Sequence, residues 1–297
     1  MSLSYSQLRR YRTCPRQYEF LHVKKIPWGI SEGESFGASV HNALKRWGEE
    51  EIKTLGVLGR DSGLGIRDSE KKKRGAVRED QLGLFIPEER PQTGLLTEGK
   101  LLEIWHQSFV FNTFPTQFEA DFARRRGEEM MRQFFLWWSR SPRSVVAVEK
   151  SFSLTIDGTA ITGRLDRIGR TESGVRIVDY KTTAPCTREE ADADLQLSLY
   201  ALASETLFEK PFDSATVGLD RRGSAQGKPC TELLLLFLSD GGVVERSTVR
   251  SASQLKDART QIRLIRERME AKDFHPTPGV AVCKRCPYRG ICDVAAV

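Results

Sequence analysis

The fold is decided by residues 144–156, SVVAVEKSFSLTI, followed by 159–169, TAITGRLDRIG, and 175–183, VRIVDYKTT. Ile and Thr occur in all three, with Val in the first and third, and the turn pairs Asp157 with Gly158 and Ser173 with Gly174 separate them. Branched residues suit a pleated surface and polar pairs of this kind suit hairpins, so the segments read as a three-stranded antiparallel meander. Residues two apart on a strand share a face, so Asp179 and Lys181 project together while Tyr180 turns away with its carbonyl still available. A short second turn also carries Asp166, at the end of GRLDRI, beside Asp179.

Two carboxylates and a carbonyl form a set of hard oxygen donors suited to Mg or Mn, which take phosphate oxygens as further ligands. Asp166, Asp179 and the Tyr180 carbonyl are therefore the expected metal ligands, with a phosphodiester as substrate. Lys181 is placed to orient a water or to offset charge developing on phosphorus. An Asp-x-Lys pair alone also describes a solvated strand face, so its surroundings must decide.

Working outward, SYSQLRRY begins a helix at a Ser cap, Pro15 reopens a helix after Cys14, and Val40, Leu44 and Trp47 form an apolar stripe with His41 beside it. Residues 54–99 dissolve into Gly, Pro and charge and read as an insertion. Helical periodicity returns in LLEIWHQSFVF and again from Thr116, where Thr116 and Glu119 make a capping-box pattern. Beyond the meander come a helix from about Glu189, strands of which TELLLLFL is the most apolar and so interior, and a long helix from about Ser251 to Lys272. The order predicts an α/β (α+β) fold with a mixed central sheet flanked by helices. It divides into a helical region 1–140, a core 141–278 and a cysteine-rich tail 279–297.

The 297 residues carry 46 Lys+Arg against 40 Asp+Glu, a net charge of +6 that is compatible with a polyanionic partner. Arg9, Arg10, Arg12 and Arg16 cluster around Cys14 with Tyr11 and Tyr18 among them, a mixture suited to phosphate contact and base stacking on a single strand of DNA. Further basic residues occur at Arg124 to Arg126, at Arg221 and Arg222, and along Arg259 to Arg268. No apolar run approaches the roughly 20 residues of a membrane span, and the start lacks a signal-peptide core, so the expectation is a cytoplasmic protein with no membrane partner.

Cys283, Cys286 and Cys292 form a C-x2-C-x5-C run. Three thiolates leave a tetrahedral zinc site or an iron-sulfur cubane one ligand short, and ligand chemistry alone does not choose between the metals. Cys186 and Cys230 have no partner at metal spacing and read as packing or loop thiols.

These motifs in this order resemble the PD-(D/E)xK nuclease superfamily, in particular its RecB-like group, and the match runs along most of the chain. That group has a histidine on an early helix, then G-x-x-D, D-Y-K-T and Q-x-x-x-Y; here these are His41, Gly163 with Asp166, Asp179 with Lys181, and Gln196 with Tyr200. The resemblance implies a restriction-endonuclease-like core, His41 as a further metal ligand, and Gln196 and Tyr200 lining the site. Glu149 matches a position that is often acidic. Iron-sulfur members of the group have one cysteine before the core and three after it, which implies Cys14 as the fourth ligand and a 4Fe-4S cluster, with zinc as the alternative. The implied activity is a deoxyribonuclease, an exonuclease acting on single-stranded DNA or DNA ends in repair or recombination. A CRISPR adaptation nuclease and a non-hydrolytic DNA-binding subunit of a helicase complex are the competing readings. No G-x-x-x-x-G-K-[ST] phosphate loop occurs, so an ATP motor would be a separate part: a helicase subunit or a parent helicase chain.

Overall fold

The computed structural model describes residues 2–61, 96–140, 145–171, 174–208 and 230–296. The N-terminal part holds strand β1 (Ser2–Ser4), helices α1 (Tyr5–Thr13) and α2 (Pro15–Tyr18), a π-helical turn (Glu19–Val23), and helices α3 (Glu32–Asp61), α4 (Glu98–Ser108) and α5 (Gln117–Arg140). Next come β2 (Val145–Ile156), β3 (Thr159–Arg170), β4 (Val175–Lys181), α6 (Arg188–Asp192), α7 (Leu195–Phe208), β5 (Cys230–Ser239), β6 (Gly242–Thr248), α8 (Ala252–Glu270) and α9 (Val280–Lys284).

The expected meander is present: β2 pairs antiparallel with β3 along its length, and β3 pairs antiparallel with β4. Beyond it β5 runs parallel to β4 and β6 antiparallel to β5, so TELLLLFL is interior to a mixed sheet. Alternation along β5 sends Leu233, Leu235 and Phe237 to one face, against α1, α7 and α8. Leu234, Leu236 and Leu238 go to the other, against α3, α4 and α5. A strand covered on both faces must be apolar on both, and the unbroken run of leucines meets that demand.

Several local signals hold. The Ser4 hydroxyl accepts from the Gln7 N–H at 3.3 Å while Gln7 Oε1 accepts from the Ser4 N–H at 2.7 Å, closing a capping box on α1. Thr116 accepts from the Glu119 N–H at 3.2 Å at the start of α5. Other boundaries move. Helix α3 continues past Thr54 to Asp61, and Thr97 caps α4 by accepting from the Lys100 N–H, so the helices intrude on both ends of the stretch 54–99; its middle, 62–95, lies outside the described residues, as do Ser173, Arg221 and Arg222. The helix read from Glu189 is two helices, because Asp194 starts the second by accepting from the Leu197 N–H at 3.0 Å. Strand β1, three residues parallel to β3, is too short for sequence periodicity to register.

Candidate active site

Strand β3 shares one of its edges between two partners. Ala160 to Thr162 pair with β1, and Arg167 to Arg170 pair with β4. Between them Gly163 to Asp166 are left without a strand partner on that edge, and the Asp166 Oδ2 atom accepts the Tyr180 N–H at 2.9 Å. A carboxylate thus takes the place of a ladder carbonyl where β4 diverges from β3. Gly163 is required here by packing, since a Cβ would run into the Phe152 ring, which itself meets the Tyr200 ring edge-on.

On the other side of β3 the pairing with β2 passes from Val148 opposite Arg167 to Lys150 opposite Leu165. Glu149, between them, has φ of 49°, a left-handed conformation rarely adopted by a non-glycine residue. Its carboxylate accepts from Arg164 Nη1 at 2.7 Å. From α3, His41 Nδ1 comes to 3.3 Å of Asp166 Oδ2. One ligand atom from each of His41, Glu149 and Asp166 lies within 4.8 Å of the other two, and all three residues are half-buried. Burial opposes charge on the imidazole, but its hydrogen bond to Asp166 and the fields of Asp166, Asp179 and Glu149 win, and its pKa is raised.

Behind this group Asp179 is only 2 % exposed. Its Oδ1 accepts from Gln196 Nε2 and from the Tyr200 hydroxyl, each at 2.9 Å, and its Oδ2 faces Lys181 Nζ at 2.6 Å. Lys181 Nζ also donates to Gln196 Oε1 at 2.8 Å. Gln196 and Tyr200, one turn apart on α7, therefore fix both members of the Asp-x-Lys pair. Burial pushes the Asp179 carboxyl above its usual range; Lys181 opposes this and the charge of Asp166 adds to it. The Tyr200 phenol is held well above its ordinary value, by burial and by the two aspartates, and stays neutral as a donor.

The structure brings His41 against Asp166, and Asp179, Lys181, Gln196 and Tyr200 against one another. Tyr180 turns its ring to the opposite face, beside His41 and Phe134, and contributes its N–H to Asp166. Glu149, which the resemblance gave only as a position that is often acidic, joins His41 and Asp166 in the one group that could hold a metal among the described residues. A second device escaped the sequence. Arg167, next to Asp166, makes a two-pronged ion pair with Glu51 of α3 at 2.8 Å on each branch, the side chains being 7 % and 1 % exposed.

The arginine cluster divides. Arg16 pairs with Glu19 at 3.2 Å, Arg10 lies over the Trp28 ring at 3.7 Å, and Arg9 and Arg12 are exposed. Tyr11 and Tyr18 do not offer base-stacking faces. Both are buried against each other and Phe274, and the Tyr11 hydroxyl donates to the Asp273 carbonyl. Their apolar rings serve the core, which the polar neighbours in sequence concealed.

Cys14, Cys283, Cys286 and Cys292 line one cavity, with Pro276, Pro278 and Phe20 among its other walls. Gln17 Nε2 approaches Cys286 Sγ at 3.5 Å. Cys186 lies apart, its carbonyl accepting from Arg246 at 2.9 Å.

The mixed sheet thus gathers a histidine, three carboxylates and a lysine, of which His41, Glu149 and Asp166 could hold a metal ion. The model of the PD-(D/E)XK nuclease superfamily matches residues 2–293, and the chain belongs to that superfamily. Membership implies hydrolysis of DNA phosphodiesters with Mg or Mn. The chain is also similar to the Gene 69 protein of Mycobacterium phage D29, 24% identical over 308 residues, covering 98% of this chain and 96% of that one. A solved structure, that of SSO0001, aligns over 67% of this chain and 79% of its own with 15% identity and a TM-score of 0.36. Among the described residues, no helix is long and apolar enough to cross a membrane.

Proposed function

We propose that this chain is a Mg- or Mn-dependent deoxyribonuclease that degrades single-stranded DNA or DNA ends as an exonuclease, in repair or recombination. The observation that carries this reading is the convergence of His41, Glu149 and Asp166 to within 4.8 Å beside the Asp179 and Lys181 pair. These are one nitrogen and several hard oxygens, a donor set that fits either ion.

His41, Glu149, Asp166, Asp179 and the Tyr180 carbonyl would hold the ion, which when bound supplies Lewis acidity at the scissile phosphate and makes water a competent nucleophile near neutral pH. The remaining work falls to the chain's own residues. Lys181 presents a cation to the phosphate oxygens as charge builds in the transition state, and Gln196 Oε1, accepting at 2.8 Å, fixes where that cation sits. Gln196 Nε2 and the Tyr200 hydroxyl hold the Asp179 carboxylate in one orientation, so the site is preorganised before substrate arrives.

For Cys14, Cys283, Cys286 and Cys292 the reading is a 4Fe-4S cluster of structural role, with zinc as the alternative; their shared cavity supports a common centre. A helicase, as a separate subunit or the parent chain, is the proposed partner, and the cytoplasm the proposed location.

The test is cleavage of end-labelled single-stranded and duplex DNA with Mg or Mn, comparing the unmutated protein with Asp179→Ala after circular dichroism has confirmed that both are folded. Loss of at least ~100-fold in rate is expected. Undiminished cleavage by the folded variant refutes the site.

A further inference from the structure

Of the basic clusters in the sequence, most are neutralised locally. Arg124 pairs with Asp121 and Glu128, Arg126 with Asp240, Arg259 with Glu205, Arg263 with Glu267, and Arg268 with Asp273. Arg9, Arg10 and Arg285 differ: among the described residues none of them has a carboxylate within ion-pair distance. These three line one groove, together with Trp28, Gln17 and Glu34. It lies between α1, the start of α3 and the cysteine tail.

One wall of the groove is the start of α3, the helix that also carries His41. Glu34 is one turn of α3 before Gly37, where an added Cβ would make ordinary van der Waals contact with the Thr182 hydroxyl at 3.4 Å, and Thr182 directly follows Lys181. Ser6 also lines the groove, next to Tyr5, whose phenol pKa is raised chiefly by burial and also by the charges of Asp194 and Asp179. The far end is Arg285, inside the C-x2-C-x5-C tail.

Its chemistry is specific. The Arg10 guanidinium is stacked flat enough on the Trp28 indole to bring its centre to 3.7 Å, and its Nη1 is covered but makes no hydrogen bond. A guanidinium held in place by an aromatic ring offers a cation for a phosphate and a planar surface for an unstacked base. Arg9 and Arg285 add exposed positive charge at the rim. Bases inside a duplex already stack on one another, whereas a single strand can turn them onto such a surface while its phosphates follow the cations.

Resting on the nuclease reading above, we propose that this groove is the track along which a single nucleic-acid strand approaches the metal site, with Arg9, Arg10 and Arg285 on its phosphates and the Arg10–Trp28 stack as a base platform. A duplex, which keeps its bases covered, gains only the phosphate contacts.

The experiment uses the full chain without divalent metal, so that binding is measured without cleavage, and follows a fluorescein-labelled thymidine oligonucleotide and a blunt duplex of equal length through a salt titration. The expectation is that the single strand binds at least ~10-fold more tightly than the duplex. In the Arg9→Ala, Arg285→Ala double variant, the slope of log affinity against log salt should fall by about 1.4, the loss of two single-strand phosphate contacts. Trp28→Ala should weaken single-strand binding by roughly 5- to 100-fold, with Trp28→Phe retaining most of it. Arg9 and Arg285 are exposed and Trp28 is half-buried, and an unchanged circular dichroism spectrum confirms the fold. An unaltered salt slope, or equal binding of both DNA forms through the same residues, overturns the proposal. Parallel cleavage assays with Mn separate the two readings. A protein that cuts DNA but whose variants bind normally loses the groove and keeps the nuclease, and one that binds through these residues but cuts nothing does the reverse.

Discussion

At the scale of single residues the site is a balance between buried charge and the groups that hold it. The Asp179 carboxyl and the His41 imidazole both have raised pKa values, the first chiefly through burial and the second through Asp166 against burial. Each therefore binds its proton more tightly in the folded chain than in the unfolded one. The stability this contributes to the metal-free protein is complete below the unfolded pKa values and is lost as pH rises through the folded ones. A divalent ion competes with those same protons, so its stabilising effect must grow with pH. Thermal melting with and without Mn should show a larger ion-induced rise in midpoint at pH 8 than at pH 5.5, reduced in Glu149→Gln; a rise independent of pH would count against ion binding at these groups. The legibility of this scale was uneven. Asp166, Asp179 and Lys181 could be read because a two-residue period and a short turn dictate their convergence. The approach of Glu149 depends on a left-handed φ of 49° at one position, and the bond from the Tyr180 N–H to Asp166 depends on where β4 leaves β3; neither has a sequence pattern.

At the scale of elements, the site depends on α3 keeping its position over the sheet. His41 lies on α3 and Asp166 on β3, and the Glu51 and Arg167 pair ties the same two elements together nearly three turns further along the helix. Gly48, between these points, lets the helix sit against β2, since a Cβ there would strike Val148. A two-pronged ion pair from which water is excluded adds little compared with an apolar replacement, but removing one partner strands a buried charge at a cost of about 3–5 kcal/mol. Glu51→Gln should accordingly lower the denaturation free energy by about that amount, and Arg167→Lys, which keeps the charge but loses the fork, should cost less. Chemical denaturation of both variants measures this; a change under about 1 kcal/mol for Glu51→Gln would mean the pair is not what locks α3 in place. Helical and strand periodicity gave the element types correctly, and Val40, Leu44 and Trp47 face the core as their spacing requires. Nothing in the local sequence marks Glu51 and Arg167 as a pair, because a partner 116 residues away in sequence leaves no local trace.

At the scale of the whole molecule, the two ends of the chain meet. Thr277 donates to the Thr13 carbonyl at 3.0 Å, the Tyr288 hydroxyl donates to the Ile26 carbonyl at 2.8 Å, and Phe20 packs edge-on against Tyr288. Closing so long a loop costs entropy that grows only slowly with its length, so a few such contacts, with the proposed metal centre, would suffice to hold it shut. Because the protein contacts exist alongside the four cysteines, losing one thiolate should release the ends without melting the sheet. In Cys14→Ser, hydrogen exchange is expected to accelerate in residues 2–28 and 279–296 while β3, β4 and β5 keep their protection, and the melting midpoint should drop by several degrees. The same variant reports on the metal. A 4Fe-4S centre gives the unmutated protein a broad visible absorption with matching iron and sulfide, which the substitution bleaches, whereas a colourless zinc-loaded protein decides for the alternative. Unchanged exchange at both ends after the substitution would detach Cys14 from the tail altogether. The groove lined by Arg10 and Arg285 is built from these same two ends, so a chain with released ends should also lose its grip on single-stranded DNA while the carboxylates around Asp166 remain assembled.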